Sequence, residues 1–374
     1  MPIDWSMTEP LVNESSLKGL LKIMTKEGAS DLILKAGGCP AMRVAGAIRF
    51  VGDTPLKHEL LVSYLEQILD RRGLEEFRRV GATDRALSIP NVGRFRCNVF
   101  HQCGDVGMVF RCVKSHIPSF KDLNLPADPL KRLAQRKRGL VLATGVAGSG
   151  KSTSLGAMIE HINRNAYKHI ITIEDPIEFL FEDRCSIINQ REIGTDAPSF
   201  VEAMRSAVRQ SPDVIMIGEM RDKETVEAAI AAAETGHLVF STLHTVNAVQ
   251  TVERIITFFP PHQHDLVRMQ LSLNLAGVLS MRLIKTKEGR SLVPACELLI
   301  NTPTVRELLQ SGNTRNLPKA LEESSYYGTM TFNQSLIRLF EAGNISLEDA
   351  LTASDSPDEL KMQMRGISAG GQIS

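Results

Sequence analysis

The sequence lacks the features that would place the chain in a membrane or on nucleic acid. It has no apolar run of the roughly 18–20 residues that a membrane-spanning helix requires. Residues 1–10 have neither the basic start nor the apolar core of a secretory signal. Acidic and basic residues balance, 43 against 43, so no overall field attracts nucleic acid or an anionic membrane. We therefore expect a cytoplasmic protein without a transmembrane segment and without a nucleic-acid partner.

The sequence also has little cysteine. No two of its six cysteines have the C-x-x-C spacing that is typical of zinc sites. We therefore expect buried free thiols in a reducing compartment rather than a metal site. These residues are Cys39, Cys97, Cys103, Cys112, Cys185 and Cys296.

The length and composition are those of an ordinary two-domain protein, with 374 residues, 43% apolar and 23% charged. Helical and alternating patterns over residues 1–113 predict an α+β domain with an antiparallel sheet. A proline-bounded linker is expected at 114–126. Strands and helices alternate over 127–364, which predicts an α/β domain with a mostly parallel sheet and a helical C-terminal part. A disordered tail is expected at 365–374.

The elements of the second domain can be placed approximately. Its predicted strands are 140–144, 169–173, 214–217 and 238–242, and its predicted helices are 152–164, 199–210, 222–234 and 247–257. Asp222 is expected to cap the third of these helices and Gly236 to end it. Beyond Pro260 the sequence is expected to be mainly helical, at 265–274, 304–310, 316–323, 332–342 and 347–352.

The segment from Gly145 to Ser152 matches the pattern G-x-x-x-x-G-K-[ST] in full. It lies between an apolar strand and a helix, which is the order that a phosphate-binding loop needs. Its backbone N–H groups and the positive end of the helix dipole would face phosphate oxygens. Lys151 would reach the β- and γ-phosphates of a nucleoside triphosphate, and the Ser152 hydroxyl would hold Mg²⁺. The predicted nucleotide-binding residues here are Gly145, Gly148, Ser149, Gly150, Lys151, Ser152 and Thr153.

Two carboxylates, Glu174 and Asp175, follow the predicted strand 169–173. Parallel sheets place their ligand sites at the carboxyl ends of the strands. These carboxylates would hold Mg²⁺, directly or through water, opposite Ser152. The alternative is an acidic turn without a ligand.

Glu219 follows the predicted strand 214–217, where nucleotide-hydrolysing enzymes often carry an acidic residue. Such a glutamate polarises the attacking water or positions Mg²⁺. Because Gly218 stands where aspartate is usual, metal ligation is expected to fall to Glu174. The alternative is that Glu219 only caps the next helix.

Histidines and arginines add weaker signals. His237 and His244 flank the strand 238–242 and would suit sensing of a γ-phosphate, or would be structural. Arg94, Arg96 and Arg111 lie on predicted strands of the first domain. They are either solvated surface residues or, in a ring of subunits, groups that neutralise phosphate charge at a neighbour's site.

Four runs in order, G-V-A-G-S-G-K-S-T, I-T-I-E-D-P-I-E-F, G-E-M-R-D and T-G-H-L-V-F-S-T-L-H-T, resemble motifs of the secretion ATPase superfamily. Within it they resemble the type IV pilus retraction ATPases of the PilT/PilU family. The resemblance covers nearly the whole chain, including G-R-F-R-C-N-V-F in the first domain and residues 325–335. It implies a PAS-like N-terminal domain, a RecA-like ATPase domain, a homohexameric ring and the use of ATP with Mg²⁺.

The same resemblance implies roles for individual residues. Glu219 would be the catalytic carboxylate, with Glu174 and Asp175 acting beside it. His244, and less directly His237, would lie near the γ-phosphate. Arg96 and Arg111 match positions proposed as arginine fingers, and Arg94 is a weaker match.

Two features of the sequence indicate which branch of this family it resembles. The sheet domain begins early and no four-cysteine insertion follows Arg282, which favours the retraction branch over extension and secretion ATPases. Residues 304–309 read T-V-R-E-L-L where PilT proteins typically carry A-I-R-N-L-I. That difference favours the accessory PilU branch over the PilT branch.

The implied function is a hexameric ATPase that drives or assists pilus retraction in twitching motility. It would act peripherally at the inner membrane on a platform protein of the PilC type and alongside a PilT-type paralogue. The alternative is a regulatory ring that binds ATP and acts mainly by docking on a PilT-type motor. Balanced charge argues against a nucleic-acid motor, and the lack of an N-K-x-D segment argues against a GTPase.

Overall fold

The computed structural model describes residues 16–289 and 291–365. The chain forms two compact units, of which the first ends at Ser115 and the second begins at His116. The predicted domain bounds stay predictions. Residues 1–10 and all of the predicted tail except Arg365 lie outside the described residues. Across the described ranges, no helix is long and apolar enough to cross a membrane.

The described part of the first unit is an α+β fold, as the sequence predicts. Its helices are α1 (Leu17–Lys26), α2 (His58–Ile68) and α3 (Arg71–Val80). Its strands are β1 (Asp31–Lys35), β2 (Ala41–Val44), β3 (Ala47–Phe50), β4 (Ala82–Ile89), β5 (Gly93–Gln102) and β6 (Asp105–Cys112). They form one antiparallel sheet in the order β3-β2-β1-β6-β5-β4. The predicted likeness to PAS domains stays a prediction.

The alternation along β5 explains how this sheet packs. Phe95, Cys97 and Val99 are fully buried, whereas the alternate residues Arg94 and Arg96 are half-buried on the other face. Side chains that alternate in this way place one face of a sheet on a core and leave the other accessible.

The described part of the second unit is built on a seven-stranded sheet. Its strands are β7 (Gly139–Thr144), β8 (His169–Glu174), β9 (Ile187–Glu192), β10 (Val214–Ile217), β11 (Leu238–Leu243), β12 (Leu275–Lys285) and β13 (Leu292–Ile300). The order is β13-β12-β7-β11-β10-β8-β9, with every pairing parallel except that of β12 with β13. β7, β10 and β11 are buried along their whole length, as expected for strands covered on both faces.

Helices cover this sheet and extend the C-terminal part. They are α4 (Ala127–Ala134), α5 (Lys151–Asn165), α6 (Phe200–Ala207), α7 (Lys223–Glu234), α8 (Ala248–Thr257), α9 (His264–Asn274), α10 (Pro303–Ser311), α11 (Leu317–Glu323), α12 (Phe332–Glu341), α13 (Leu347–Ala353) and α14 (Pro357–Met364). The Asp222 carboxylate accepts a hydrogen bond from Thr225 N at 2.8 Å and so caps α7. Gly236, at φ +111°, follows the end of the same helix. Both expectations for this helix are confirmed.

The five helices predicted beyond Pro260 are present, but the strands β12 and β13 between α9 and α10 were not predicted. β12 is mainly apolar, interrupted by Ser280 and Arg282, and periodicity does not separate a buried strand of this kind from a helix. β13 contains Pro294, which is tolerated because β13 is an edge strand of the sheet. The sequence patterns also failed to predict β9, α4 and α14.

Much of the segment predicted as a linker is packed. Ile117, Phe120 and Leu125 are buried, and Phe120 and Leu125 join the core beneath α4 and α5. Ser119 Oγ donates to the Asp122 carboxylate at 2.7 Å, which fixes the turn between them. Residues 117–125 therefore form part of the second unit.

The cysteines are free, as predicted, but not all are buried. Cys97 and Cys296 are buried, and burial raises the pKa of each thiol to about 12. Cys103 and Cys185 are exposed and Cys39 and Cys112 are half-buried, which corrects the prediction for these four. Cys103 lies at the turn between β5 and β6, and Cys185 lies in the loop before β9, so neither position faces a core.

One carboxyl group lies buried in β13. Glu297 is 8% exposed, and its Oε1 accepts a hydrogen bond from Ala248 N at 2.6 Å. Burial raises the pKa of this carboxyl group to about 7 and outweighs the hydrogen bond from Ala248 and the charge of Arg282, both of which lower it. Glu297 therefore holds its proton up to near-neutral pH in the folded chain.

We expect Glu297→Gln to gain stability relative to the parent as the pH rises. The raised pKa of Glu297 contributes stability that is complete below pH 4.5 and is lost as the pH rises to about 7. Glutamine does not titrate, so the difference in free energy of unfolding should change in the variant's favour by roughly 3 kcal/mol across this window. Urea unfolding at a series of pH values measures it. The exposed control Glu341→Gln should show a difference in free energy of unfolding that does not change with pH. The same pH-independent difference for Glu297→Gln would contradict the prediction.

Candidate functional site

The predicted phosphate loop connects the buried centre of the sheet to a helix. β7 ends at Thr144, the loop covers residues 145–150, and α5 begins at Lys151. Gly145 adopts φ +147° and Gly150 adopts φ +95°, conformations that favour glycine. A Cβ on Gly145 would lie 2.6 Å from Met281 O, so backbone of β12 closes the space there.

We expect Gly145→Ala to cost more stability than Gly148→Ala. Both residues have positive φ, but a Cβ on Gly148 would meet no atom within 4 Å. Gly148→Ala then carries only the conformational penalty of about 1–2 kcal/mol, whereas Gly145→Ala adds a steric clash worth roughly another 1–3 kcal/mol. Thermal unfolding of the two variants measures the difference. Equal losses would show that the loop relaxes around the new methyl group.

Lys151 is held at the base of this loop. Its Nζ donates to Gly145 O at 2.9 Å and to Val146 O at 3.0 Å, and the residue is buried. Burial lowers the pKa of Lys151, and the negative charge of Glu219 acts in the opposite direction. The Lys151 ammonium group is therefore positioned by the phosphate loop. It also lies within the electric field of Glu219, the predicted catalytic carboxylate.

Glu219 lies just past the end of β10, two strands from the phosphate loop. Its side chain is 11% exposed; it pairs with Arg221, and its Oε2 lies 3.5 Å from His244 Nε2. Asp222, not Glu219, caps the helix that follows. The reading of Glu219 as only a helix cap is therefore wrong.

Glu174 ends β8 and is buried. Its Oε1 accepts hydrogen bonds from Thr172 at 2.7 Å and Gln190 at 3.3 Å, and its Oε2 accepts one from Glu178 N at 3.2 Å. Burial raises the pKa of Glu174, and these hydrogen bonds act against it. The neighbouring Asp175 is exposed and more available for direct contact with a ligand.

These groups meet in one cleft of about 260 Å³, whose polar lining includes Lys151, Ser152, Glu174, Asp175, Glu219 and His244. Phe179, Phe181 and Phe200 add an apolar wall. The cleft lies at the carboxyl ends of parallel strands, where α/β folds bind ligands. The sequence thus predicted most of the polar groups that the fold brings together.

The polar groups around the loop fit a triphosphate with Mg²⁺. Ser149 Oγ is buried and has no hydrogen-bond partner among the residues described, and the Ser152 hydroxyl is exposed at the start of α5. Over the same ranges, no group of three His, Cys, Asp or Glu side chains could hold a metal ion. The Ser152 hydroxyl is an oxygen donor of the kind that Mg²⁺ binds beside water and substrate phosphates.

His237 is not brought to this cleft. It precedes β11, whereas His244 follows it, and the six residues of the strand span about 20 Å at ~3.3 Å each. His237 Nδ1 lies 2.9 Å from Ala232 O at the end of α7. Within one chain, the prediction that His237 contacts the nucleotide is therefore wrong, because parallel strands put the two histidines at opposite edges.

The three predicted arginines lie in the first unit. Arg111 on β6 has two direct neighbours in the sheet. Arg96 on β5 lies on one side of it, and Asp31 on β1 lies on the other. Arg111 Nε donates to Asp31 Oδ1 at 2.9 Å, and Arg43 Nε lies 3.5 Å from the same carboxylate. This transverse row places Arg96, Arg111, Asp31 and Arg43 side by side on one face of the sheet.

Sequence reasoning missed two contacts in the cleft. Arg221 pairs with Glu219, and its position two residues later was the available signal. Gln190 bonds to Glu174 across neighbouring strands, and no local pattern indicated it because β9 itself was not predicted.

A buried strand, a glycine-rich phosphate loop and a helix, with an acidic residue beyond a second parallel strand of the same sheet, define a P-loop nucleoside triphosphatase. The family model described as "Type II/IV secretion system protein" matches residues 16–342. The chain is 42% identical to the type IV pilus ATPase PilU of Pseudomonas aeruginosa over 92% of this chain and 90% of that protein. It is 41% identical to the type IV pilus retraction ATPase PilT of the same organism, over 91% and 98%.

A solved structure supports the same assignment. A crystal structure of the pilus retraction motor PilT with bound ADP shares 44% sequence identity and a TM-score of 0.83, covering 91% of this chain and 98% of that one. The chain therefore belongs to the type II/IV secretion system protein family and is an ATP-hydrolysing enzyme similar to the retraction ATPases PilT and PilU. The choice of the PilU branch over the PilT branch stays a prediction, since the two identities differ by one percentage point.

Proposed function

We propose that this protein is a hexameric ATPase motor that drives or assists type IV pilus retraction in twitching motility. It couples ATP hydrolysis to removal of pilin subunits at the inner-membrane platform. The observation that carries the proposal is the cleft in which Lys151, Glu219 and His244 converge, in a chain more than 40% identical to both PilU and PilT.

The proposed chemistry follows from the positions of these groups. Lys151 and the loop N–H groups bind the β- and γ-phosphates, and Ser152 and Glu174 are the residues that would hold Mg²⁺. Bound Mg²⁺ would neutralise charge that develops on the phosphates. Glu219 orients and polarises the attacking water, and His244 lies beside it at 3.5 Å to steady that carboxylate.

The arginine row would complete the site from another subunit. Arg96 and Arg111, and less directly Arg94, are proposed as arginine fingers that neutralise phosphate charge in trans. The register supports this assignment, because Arg96 on β5 and Arg111 on β6 are direct neighbours on one face of the sheet.

The proposed setting is the cytoplasmic face of the inner membrane, with a platform protein of the PilC type and a PilT-type paralogue as partners. The PAS-like N-terminal domain (1–113) and the RecA-like domain (127–364) would move relative to each other during turnover. On α10, Val305 and Leu309 are buried while Arg306 and Glu307 are exposed. That exposed face is proposed to couple the motor to its partners.

Complementation of retraction tests the proposal. In cells that lack this protein, the parent should restore retraction and Lys151→Ala should not. If Lys151→Ala restores retraction as well as the parent, hydrolysis is dispensable and the protein acts as a regulatory ring on a PilT-type motor. If the parent retracts pili in cells that also lack the PilT-type paralogue, the accessory assignment is wrong.

A further inference from the structure

Three side chains form a buried row across neighbouring strands beside the cleft. Thr144 on β7 is opposite Ser280 on β12, which is opposite Glu297 on β13. Thr144 Oγ1 donates to Ser280 Oγ at 2.9 Å, and Glu297 is the direct cross-strand neighbour of Ser280 on the other side.

The same carboxyl group holds the start of α8. Glu297 Oε1 accepts the hydrogen bond from Ala248 N at 2.6 Å, at the end of the helix whose dipole is positive. The segment between His244 and Ala248 is tied to this helix, because Thr245 Oγ1 lies 2.7 Å from Thr251 Oγ1 and Thr251 Oγ1 donates to Asn247 O at 2.7 Å.

Glu297 therefore joins two parts of the cleft that are distant in sequence. Thr144 directly precedes Gly145 of the phosphate loop, and Ala248 follows the segment that carries His244. The charged groups that act on Glu297 are Arg282 and Asp355, and these pair with each other at 2.6 Å. Glu297 is thus left to hydrogen-bond with neutral groups.

An apolar side chain would fill this buried position at lower cost, because burial of a carboxyl group is unfavourable. What the carboxyl group adds is a directed hydrogen bond to the start of α8, made by the residue that stands opposite Ser280 in the row that reaches β7. We propose that Glu297 is a positioning residue for ATP hydrolysis, which keeps the phosphate loop and His244 in register. The inference rests on the proposed role of Lys151, Glu219 and His244 in that reaction.

The test is steady-state ATP turnover by the full chain, with the melting temperature of each variant. Glu297→Ala should lower kcat about tenfold or more with KM for ATP changed less than about twofold, because small misalignment of reacting groups costs rate rather than binding. Glu297→Gln, which reproduces the protonated carboxyl group, should keep kcat within about twofold of the parent. Ser280→Ala, which interrupts the row, should reproduce the loss in part, and the exposed control Glu341→Ala should not.

A folded Glu297→Ala with parental kcat would overturn the inference. So would a Glu297→Gln variant that loses as much kcat as Glu297→Ala, because a positioning role predicts rescue by glutamine. If Glu297→Ala does not fold, Ser280→Ala decides: lower kcat at unchanged KM supports the inference and parental kcat overturns it. If Lys151→Ala and Glu219→Gln abolish turnover while the Glu297 and Ser280 variants keep parental kcat, only the positioning role fails. If Lys151→Ala and Glu219→Gln remain active, the proposed site itself is wrong.

Discussion

Lys151→Ala is expected to lower ATP turnover at least about 100-fold, because an electrostatic donor aimed at developing charge contributes that much in comparable sites. The Lys151 ammonium group is buried and held by Gly145 O and Val146 O, so it is oriented before ATP arrives. Alanine removes the only charge that the loop itself places at the phosphates. ATP affinity should fall by about tenfold or more, since a charged hydrogen bond to phosphate contributes roughly 1.5–3 kcal/mol.

Turnover is measured by phosphate release and affinity by a fluorescent ATP analogue. Lys319→Ala serves as the matched control, because Lys319 is exposed on α11 and makes only an i,i+4 pair with Glu323. The control should leave both quantities unchanged. Turnover by Lys151→Ala within about threefold of the parent, far short of the expected 100-fold loss, would remove Lys151 from the proposed mechanism.

The phosphate loop was predictable because its information is local. Pattern, preceding strand and following helix all lie within residues 139–165, and the fold keeps that order. Glu219 and His244 were predictable for a related reason: each follows a buried apolar strand, and parallel strands bring such positions to one edge. The same rule, applied strictly, would have excluded His237, which precedes its strand.

What the sequence did not predict depends on pairing between distant segments. The mainly apolar segment of β12 is compatible with a helix or a strand, and only its pairing with β7 and β13 decides between them. The position of Glu297 beside the cleft could not be predicted either, since its neighbours Ser280 and Ala248 belong to two other elements. The contact of Gln190 was not predicted for the same reason, because its partner Glu174 lies on another strand.

Glu219→Gln is expected to separate binding from hydrolysis. Loss of a general base typically lowers the rate by about 10²–10⁴-fold, and glutamine keeps the size of Glu219 while removing its charge. ATP binding should stay within about threefold of the parent, because the loop and Lys151 are untouched and one repulsive charge near the phosphates is gone. Glu227→Gln, on the exposed face of α7, is the matched control and should leave turnover unchanged.

The comparison with Glu174→Gln decides which carboxylate does the chemistry. Glu174 already accepts hydrogen bonds on both oxygens, and its raised pKa reflects burial. Glu219 instead pairs with the Arg221 guanidinium group and lies 3.5 Å from His244 Nε2, and Glu219 and His244 both line the cleft. We therefore expect Glu174→Gln to lose less turnover than Glu219→Gln. The reverse order would transfer the role of catalytic carboxylate to Glu174 and leave Glu219 as a partner of Arg221.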